Sequence, residues 1–339
     1  MSIQLSQYRN QSFEDLVSQA QQIYVDNAGQ LSRAELVFCL VCKASDDCAE
    51  RPEIQADGLL EVLSDGYGFL RSPVSLFDTG ADDIYVSPAQ IRRFNLRTGD
   101  WVEGLVRTPR ENERYLALLR ISKVNRAAPE KEKKRLSFGH QSLAIETIAH
   151  AGELSFVNKG EAILVQLNQR QHPSDLIFPF VERAEDVVLS LLNYAPEDIG
   201  VLDRAWPDGL LNGQMLTSVR GSGSNRHQRA LDLGRQRAHR LAEQGRDVHW
   251  IISTVNEVAL AACSLQEQQG KSSMQSVGVE AAQFAAAERR NLKTTGSLTV
   301  WLLGHTERSA YQNDVLTQLG FEVHHLATVD AAGQLSFLS

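Results

Sequence analysis

The chain has 339 residues, 42% of them hydrophobic and 22% charged, which is ordinary globular composition with room for two or three domains. A net charge of -8 and a pI near 5.6 argue against a polyanion binder that works by counterion release alone, so any nucleic-acid site must be local. No apolar run approaches the roughly 20 residues of a membrane helix, and MSIQLSQYRNQSFEDL lacks the pattern of a secretory signal, so no membrane partner and a cytoplasmic location are expected.

In chain order, the region 1–52 reads as a small helical unit. SFEDLVSQAQQIYV and SRAELVFCLVCKA carry apolar residues at three- and four-residue spacing, with Ser12 and Ser32 as N-caps and an acid in each first turn. Cys39, Cys42 and Cys48 fall in CLVCKASDDC, a spacing that raises zinc. No well-placed fourth ligand accompanies them, and reduced core cysteines on an amphipathic helix are the expectation. The histidines make no metal-binding spacing either, so no metal and no cofactor are implied.

Over 53–125 the period changes. GLLEVLS, YGFLRS, DDIYVS, WVEGLVR and YLALLRISKV are short runs of branched and aromatic residues between glycine, proline and aspartate turns, the pattern of a small closed β-barrel of the OB or cold-shock type. Residues 126–135, RAAPEKEKKR, read as a linker. From 136 to 339, apolar runs such as AILVQL, DVVLSLL, VHWIIST and SLTVWLLG alternate with helical stretches such as HQRALDLGRQRAHRLAEQG, the rhythm of an α/β domain with a parallel sheet. In that helix Ala230, Leu231, Leu233, Ala238 and Leu241 are expected inside, with Arg229, Arg235, Arg237 and Arg240 left for solvent, a partner or RNA. The fold class is thus α+β and multidomain.

The stretch DGYGFLRS carries the first functional signal. Tyr67 and Phe69 share a strand face, Gly66 and Gly68 leave space beside them, and Arg71, Arg92, Arg93, Arg97, Arg107, Arg110 and Arg114 supply cations: a platform on which bases stack. On spacing alone a second reading stays open, in which the rings are barrel core and the arginines a solvated face.

DGYGFLRS, DDIYVSPAQIRRFNLRTGD and ERYLALLRISKVN resemble the RNA-binding domain of the bacterial transcription termination factor Rho almost residue for residue. The resemblance implies an RNA site made of Tyr67, Phe69, Arg71, Asp83, Tyr85, Glu113 and Tyr115, with Arg110 on a phosphate, and C-rich single-stranded RNA as ligand. A carboxylate such as Asp83 or Glu113 can accept from the cytosine N4 amino group, which gives that preference a chemical basis.

The third region is similar to Rho more loosely, in NRHQRALDLGRQRAHRLAEQGRDV, GVEAAQF and TGSLTV, and it implies a RecA-like domain. At the positions of the family's nucleotide motifs stand His172, Pro173 and Ser174 for the phosphate loop, Tyr194 near the catalytic carboxylate, Ser253 for the magnesium-binding aspartate and Ala327 near the arginine finger. Proline has no N–H and no glycine is present there, so a phosphate cradle is not expected. Lys271 stands where the family's ring-interior RNA loop lies, and the family's C-terminal part is expected to be missing. The resulting expectation is a degenerate Rho paralogue that is no enzyme, binds C-rich RNA and antagonises Rho-dependent termination by competing for RNA or by joining the Rho hexamer. A Rho-independent RNA-binding scaffold is the alternative.

Overall fold

The computed structural model describes residues 2–48, 52–132, 138, 162–167, 186–206, 213–222, 224–253, 290–291, 296–305, 325–329 and 335–338. The chain divides into two compact units, Met1–Arg135 and Leu136–Ser339.

The first unit begins with a short strand β1 (Ser2–Gln4) and helix α1 (Leu5–Arg9), followed by α2 (Phe13–Gln22) and α3 (Arg33–Asp46). Ser12 and Ser32 cap α2 and α3: the Ser12 hydroxyl accepts from the Asp15 N–H, and Ser32 and Glu35 form a reciprocal capping box. α3 buries Leu36, Val37, Leu40 and Val41. Its cysteines are free thiols, and burial pushes Cys42 up to about 12, so it stays neutral and unreactive. Cys263 lies outside the described residues.

Five strands close the barrel: β2 (Glu53–Val62), β3 (Gly68–Arg71), β4 (Ile84–Val86), β5 (Trp101–Arg107) and β6 (Leu116–Val124), with helix α4 (Pro88–Phe94) between β4 and β5. Neighbours run β2-β3-β4-β6-β5, and β5 pairs back on β2, so the barrel has no open edge. Every pairing is antiparallel except β4 with β6. This is the OB-like topology expected from the sequence.

Leu60, Leu70, Ile84, Val86 and Leu116 of the barrel share one hydrophobic cluster with Leu16, Leu36 and Val37 of the helices, so the stretches 1–52 and 53–125 are built around a common core. A buried ion pair reinforces the join. The Arg9 Nε donates to Asp82 Oδ2 at 2.9 Å, and its Nη1 donates to the Asp57 carbonyl at 2.8 Å. Within 126–135 an isolated bridge joins Val124 to Ala127, and helix α5 (Pro129–Glu132) packs on β6.

The second unit is a sheet of β7 (Ala162–Leu167), β8 (Val187–Tyr194), β9 (Met215–Val219), β10 (Asp247–Ser253), β11 (Arg290–Asn291), β12 (Ser297–His305), β13 (His325–Val329) and β14 (Leu335–Leu338), with helices α6 (Pro196–Ala205) and α7 (Ser224–Glu243). The order is β14-β13-β7-β12-β10-β8-β9. The strands from β13 to β9 are parallel, and β14 and β11 add antiparallel pairs. Trp250, Ile251 and Ile252 in β10 and Val300, Trp301 and Leu302 in β12 are all buried, as strands covered on both faces require.

α7 lies on β8, β9 and β10 and buries Ala230, Leu231, Leu233, Ala238 and Leu241, as their spacing requires. Arg237 and Arg240, expected on an open face, are buried too, and Arg240 pairs with Glu243 at 3.1 Å. The helix is covered over a wider arc than its apolar stripe, and long arginine stems pack where only the head needs a polar partner. Gly234 lets this helix approach the sheet: a Cβ there would collide with the Ser190 hydroxyl, which accepts from Trp250 Nε1 at 2.9 Å. Gly234→Ala is therefore expected to lower stability by about 1–3 kcal/mol in denaturant unfolding, because the helix must lift or the Ser190–Trp250 bond must break.

Candidate nucleic-acid interface

DGYGFLRS forms the turn of the β2–β3 hairpin and the whole of β3. Gly66 takes the turn at φ +83°, with the Leu63 N–H bonded to the Tyr67 carbonyl at 2.8 Å. Gly68 faces inward, where a Cβ would lie 2.7 Å from the Glu61 carbonyl oxygen and 3.0 Å from Leu60 Cδ1. The two glycines thus serve the turn and the barrel wall. They do not make room for a base, because strand alternation points position 68 away from the rings.

The same alternation sorts the side chains. Leu60, Leu70, Ile84 and Val86 belong to the core, whereas Glu61, Phe69 and Tyr85 lie across from one another in register and fall outside that cluster. Phe69 is the hub of the patch, its ring centroid 5.8 Å from Tyr67, 6.1 Å from Tyr85 and 4.8 Å from Tyr115. Tyr67 and Tyr85 stand 5.8 Å apart. Tyr115, just before β6, is 38% exposed, while Phe69 is 9% exposed because the other rings cover it. The rings therefore form a contiguous patch on the barrel's outer face, the arrangement a stacking surface needs.

The charged residues divide into two groups. Arg71, assigned a contact role by the resemblance, is only 4% exposed. Its Nε donates to Glu61 Oε2 at 2.6 Å and its Nη1 to Asp83 Oδ2 at 2.5 Å, and the guanidinium carbon lies 5.0 Å from the Phe69 ring centroid. Asp83 is 1% exposed, and its Oδ2 also accepts from the Gly80 N–H at 3.0 Å. In this conformation Arg71 and Asp83 form the floor under Phe69 and present no open charge to a phosphate. The exposed group is different. Glu113 accepts from both Nη atoms of Arg107 and from the Arg110 N–H, which fixes the loop ahead of Tyr115. Arg110 and Arg114 themselves are exposed. Arg107 stands in the sequence as one cation among several, and Glu61 belongs to none of the quoted motifs; the pairings of both depend on strand register and loop closure, which spacing along the chain does not encode.

The two carboxylates titrate in opposite senses. The hydrogen bonds from Arg107 and from the Arg110 backbone hold Glu113 down at about 2, so it stays charged at any working pH. Burial pushes Asp83 up to about 6 in spite of the Arg71 guanidinium beside it. A raised folded-state value means that the folded chain holds this proton more tightly than the unfolded one, so the Asp83 contribution falls away as pH rises from about 4 to about 6. The unchanged chain should accordingly gain stability relative to Asp83→Asn, which imitates the neutral acid, as the pH is lowered from 7 to 4 in denaturant titrations.

In the second unit, Pro173, Ser174, His172 and Lys271 lie outside the described residues. Tyr194 ends β8 and is buried, paired in register with Val219 of β9. Ser253 ends β10, where its hydroxyl accepts from the Leu192 N–H at 2.9 Å and donates to the Ser190 carbonyl at 3.3 Å, tying β10 to β8. Ala327 lies within β13, opposite Val165 of β7 and Phe337 of β14. Among the described residues no group of His, Cys, Asp and Glu could hold a metal ion, and no helix is long and apolar enough to cross a membrane.

Residues 56–130 match the family model described as the Rho termination factor, RNA-binding domain. Over 340 residues the chain is 31% identical to the transcription termination factor Rho of Chromobacterium violaceum, covering 92% of this chain and 79% of that protein. The chain belongs to the Rho transcription termination factor family. It is also 29% identical to Rho of Escherichia coli K12 over 326 residues, covering 87% of this chain and 75% of that one. Among solved structures, an ATP synthase subunit of Nanoarcheaum equitans matches with a TM-score of 0.47 and 13% identity, over 57% of this chain and 52% of that one.

The barrel is thus a Rho RNA-binding domain, and the parallel sheet is the RecA-like domain that Rho membership entails. Membership also corrects the expectation that the chain is no enzyme. The likeness to the transcription termination factor Rho, the family whose nucleotide motifs define those positions, covers 92% of the chain and so runs through the second unit as well as the barrel. Substitutions at Pro173, Ser174, Tyr194, Ser253 and Ala327 are not in themselves positive signs of lost activity. Ser253 and Tyr194 serve strand packing, Ser253 tying β10 to β8 and Tyr194 pairing with Val219 of β9.

Proposed function

We propose that this Rho relative binds single-stranded, cytosine-containing RNA on the outer face of its barrel and lowers Rho-dependent termination by competing for nascent RNA or by associating with the Rho ring. The observation that carries the reading is the patch of Tyr67, Phe69, Tyr85 and Tyr115, which lies outside the barrel core; the loop that leads into Tyr115 carries exposed Arg110 and Arg114. Bases stack on the rings, the arginines meet phosphates, and Asp83 or Glu113 accepts from the cytosine N4 amino group. The compartment this implies is the cytoplasm, where nascent RNA is found.

The test adds the purified chain to a Rho termination reaction on a C-rich template. The expected result is more read-through, diminished by excess C-rich competitor RNA if competition alone is at work and retained if the chain joins the Rho ring. No change in termination would sink the antagonist role and leave a Rho-independent RNA-binding scaffold. Termination by the chain alone, with ATP turnover stimulated by poly(C), would replace antagonism with termination in its own right. Arg110→Ala should weaken binding about equally for all sequences and reduce the slope of log affinity against log salt by about one contact, as titrations between 50 and 200 mM salt would report.

A further inference from the structure

Glu61 lies opposite Phe69 in the β2–β3 ladder, and no family motif points to it. Its carboxylate takes the Nε of Arg71, while Asp83 takes Nη1 of the same guanidinium from the β3–β4 connection. Two anchors on different sides of a planar group fix its plane, here beneath the Phe69 ring. The arrangement has a second effect. With Nε occupied by Glu61, Arg71 meets Asp83 through one bond only, and that bond falls on Oδ2, which the Gly80 N–H also uses. Asp83 Oδ1 is left buried without a hydrogen-bond partner, a costly state for a carboxylate oxygen unless something else uses it.

We propose that Glu61 is a positioning residue for base selection: by holding the Nε of Arg71, it prevents the guanidinium from closing a two-pronged fork on Asp83 and so keeps the buried Asp83 Oδ1 unpaired, an acceptor for a base amino group that enters beneath the rings. The inference rests on the RNA-binding reading above. Arginine and carboxylate form bidentate pairs wherever geometry allows. Glu61 is what disallows it here, because it draws Nε toward β2. Remove its charge and Arg71 is free to turn its Nε edge to Asp83, consuming the acceptor that distinguishes cytosine, with an N4 amino group, from uracil, with a carbonyl oxygen.

The experiment compares the unchanged chain, Glu61→Gln and Glu61→Asp in fluorescence anisotropy with C-rich and U-rich single-stranded RNA at several salt concentrations, alongside unfolding midpoints. Glu61 is partly exposed at 17% of its side chain, and glutamine keeps its shape, so the fold should survive. The unchanged chain is expected to prefer C-rich RNA by about fivefold or more, the scale of one well-made base contact. Glu61→Gln should bring that ratio toward one while keeping affinity for U-rich RNA and the salt slope, and Glu61→Asp should recover part of the preference. Equal weakening toward both RNAs would mean a merely structural role and overturn the proposal, as would an unchanged ratio. Failure of the unchanged chain to bind either RNA would overturn the RNA reading itself, and this inference with it.

Discussion

Replacing Phe69 and Tyr85 together by alanine is expected to cut affinity for a short C-rich RNA strand by about 5- to 150-fold for each stacked base that is lost, on the scale of 1–3 kcal/mol per base. Phe69 touches Tyr67, Tyr85 and Tyr115 and rests on Arg71, so its removal undoes the patch from the centre, while loss of Tyr85 removes an outer ring. Neither ring belongs to the barrel's core cluster, so the variant should keep its fold and lose its ligand. Anisotropy with a labelled strand measures the first effect and the unfolding midpoint the second. Unchanged affinity in a folded variant would mean that RNA, if bound, lies elsewhere.

The largest stability effect is expected at Arg9. Arg9→Ala should cost about 3–5 kcal/mol, the usual result of removing one partner from a buried ion pair. Arg9 is 5% exposed and Asp82 is fully buried, and Asp82 Oδ1 already lacks a partner, so the variant would leave a carboxylate charged and stranded inside. The side chain also bonds the Asp57 and Asp82 carbonyls, which links α1 to β2 and to the approach to β4. Amide hydrogen exchange in β2 and β6 is the appropriate measurement, because it reports the first unit separately from the second. Exchange as slow as in the unchanged chain would show that the shared apolar core holds helices and barrel together without this pair.

These two residues mark the boundary of what was legible. Phe69 was visible because its alternation with Tyr67, its turn glycine and the motif around it are properties of eight consecutive residues. Arg9 was not, because its partners lie 48 and 73 positions away and nothing in MSIQLSQYRN announces them. β1 escaped notice for a similar reason: a three-residue strand has no period of its own, and its parallel pairing is supplied by β2.

The local elements and the class of ligand are written in short stretches of chain. Serine caps set where α2 and α3 start, alternating apolar residues set the strands and their inward faces, and the quoted motifs set the family, since each depends on residues within one or two turns or strands of one another. How the charges are used is a property of the folded chain. Closing the barrel brought Glu61 and Asp83 onto Arg71 and folded Arg107 onto Glu113, turning residues that read as free phosphate contacts into buried or loop-fixing pairs. Laying α7 across β8, β9 and β10 likewise buried Arg237 and Arg240. A charge is placed by whatever counter-charge the fold brings within a few ångströms, and that distance is set by strand register and helix packing, which no stretch of consecutive residues contains.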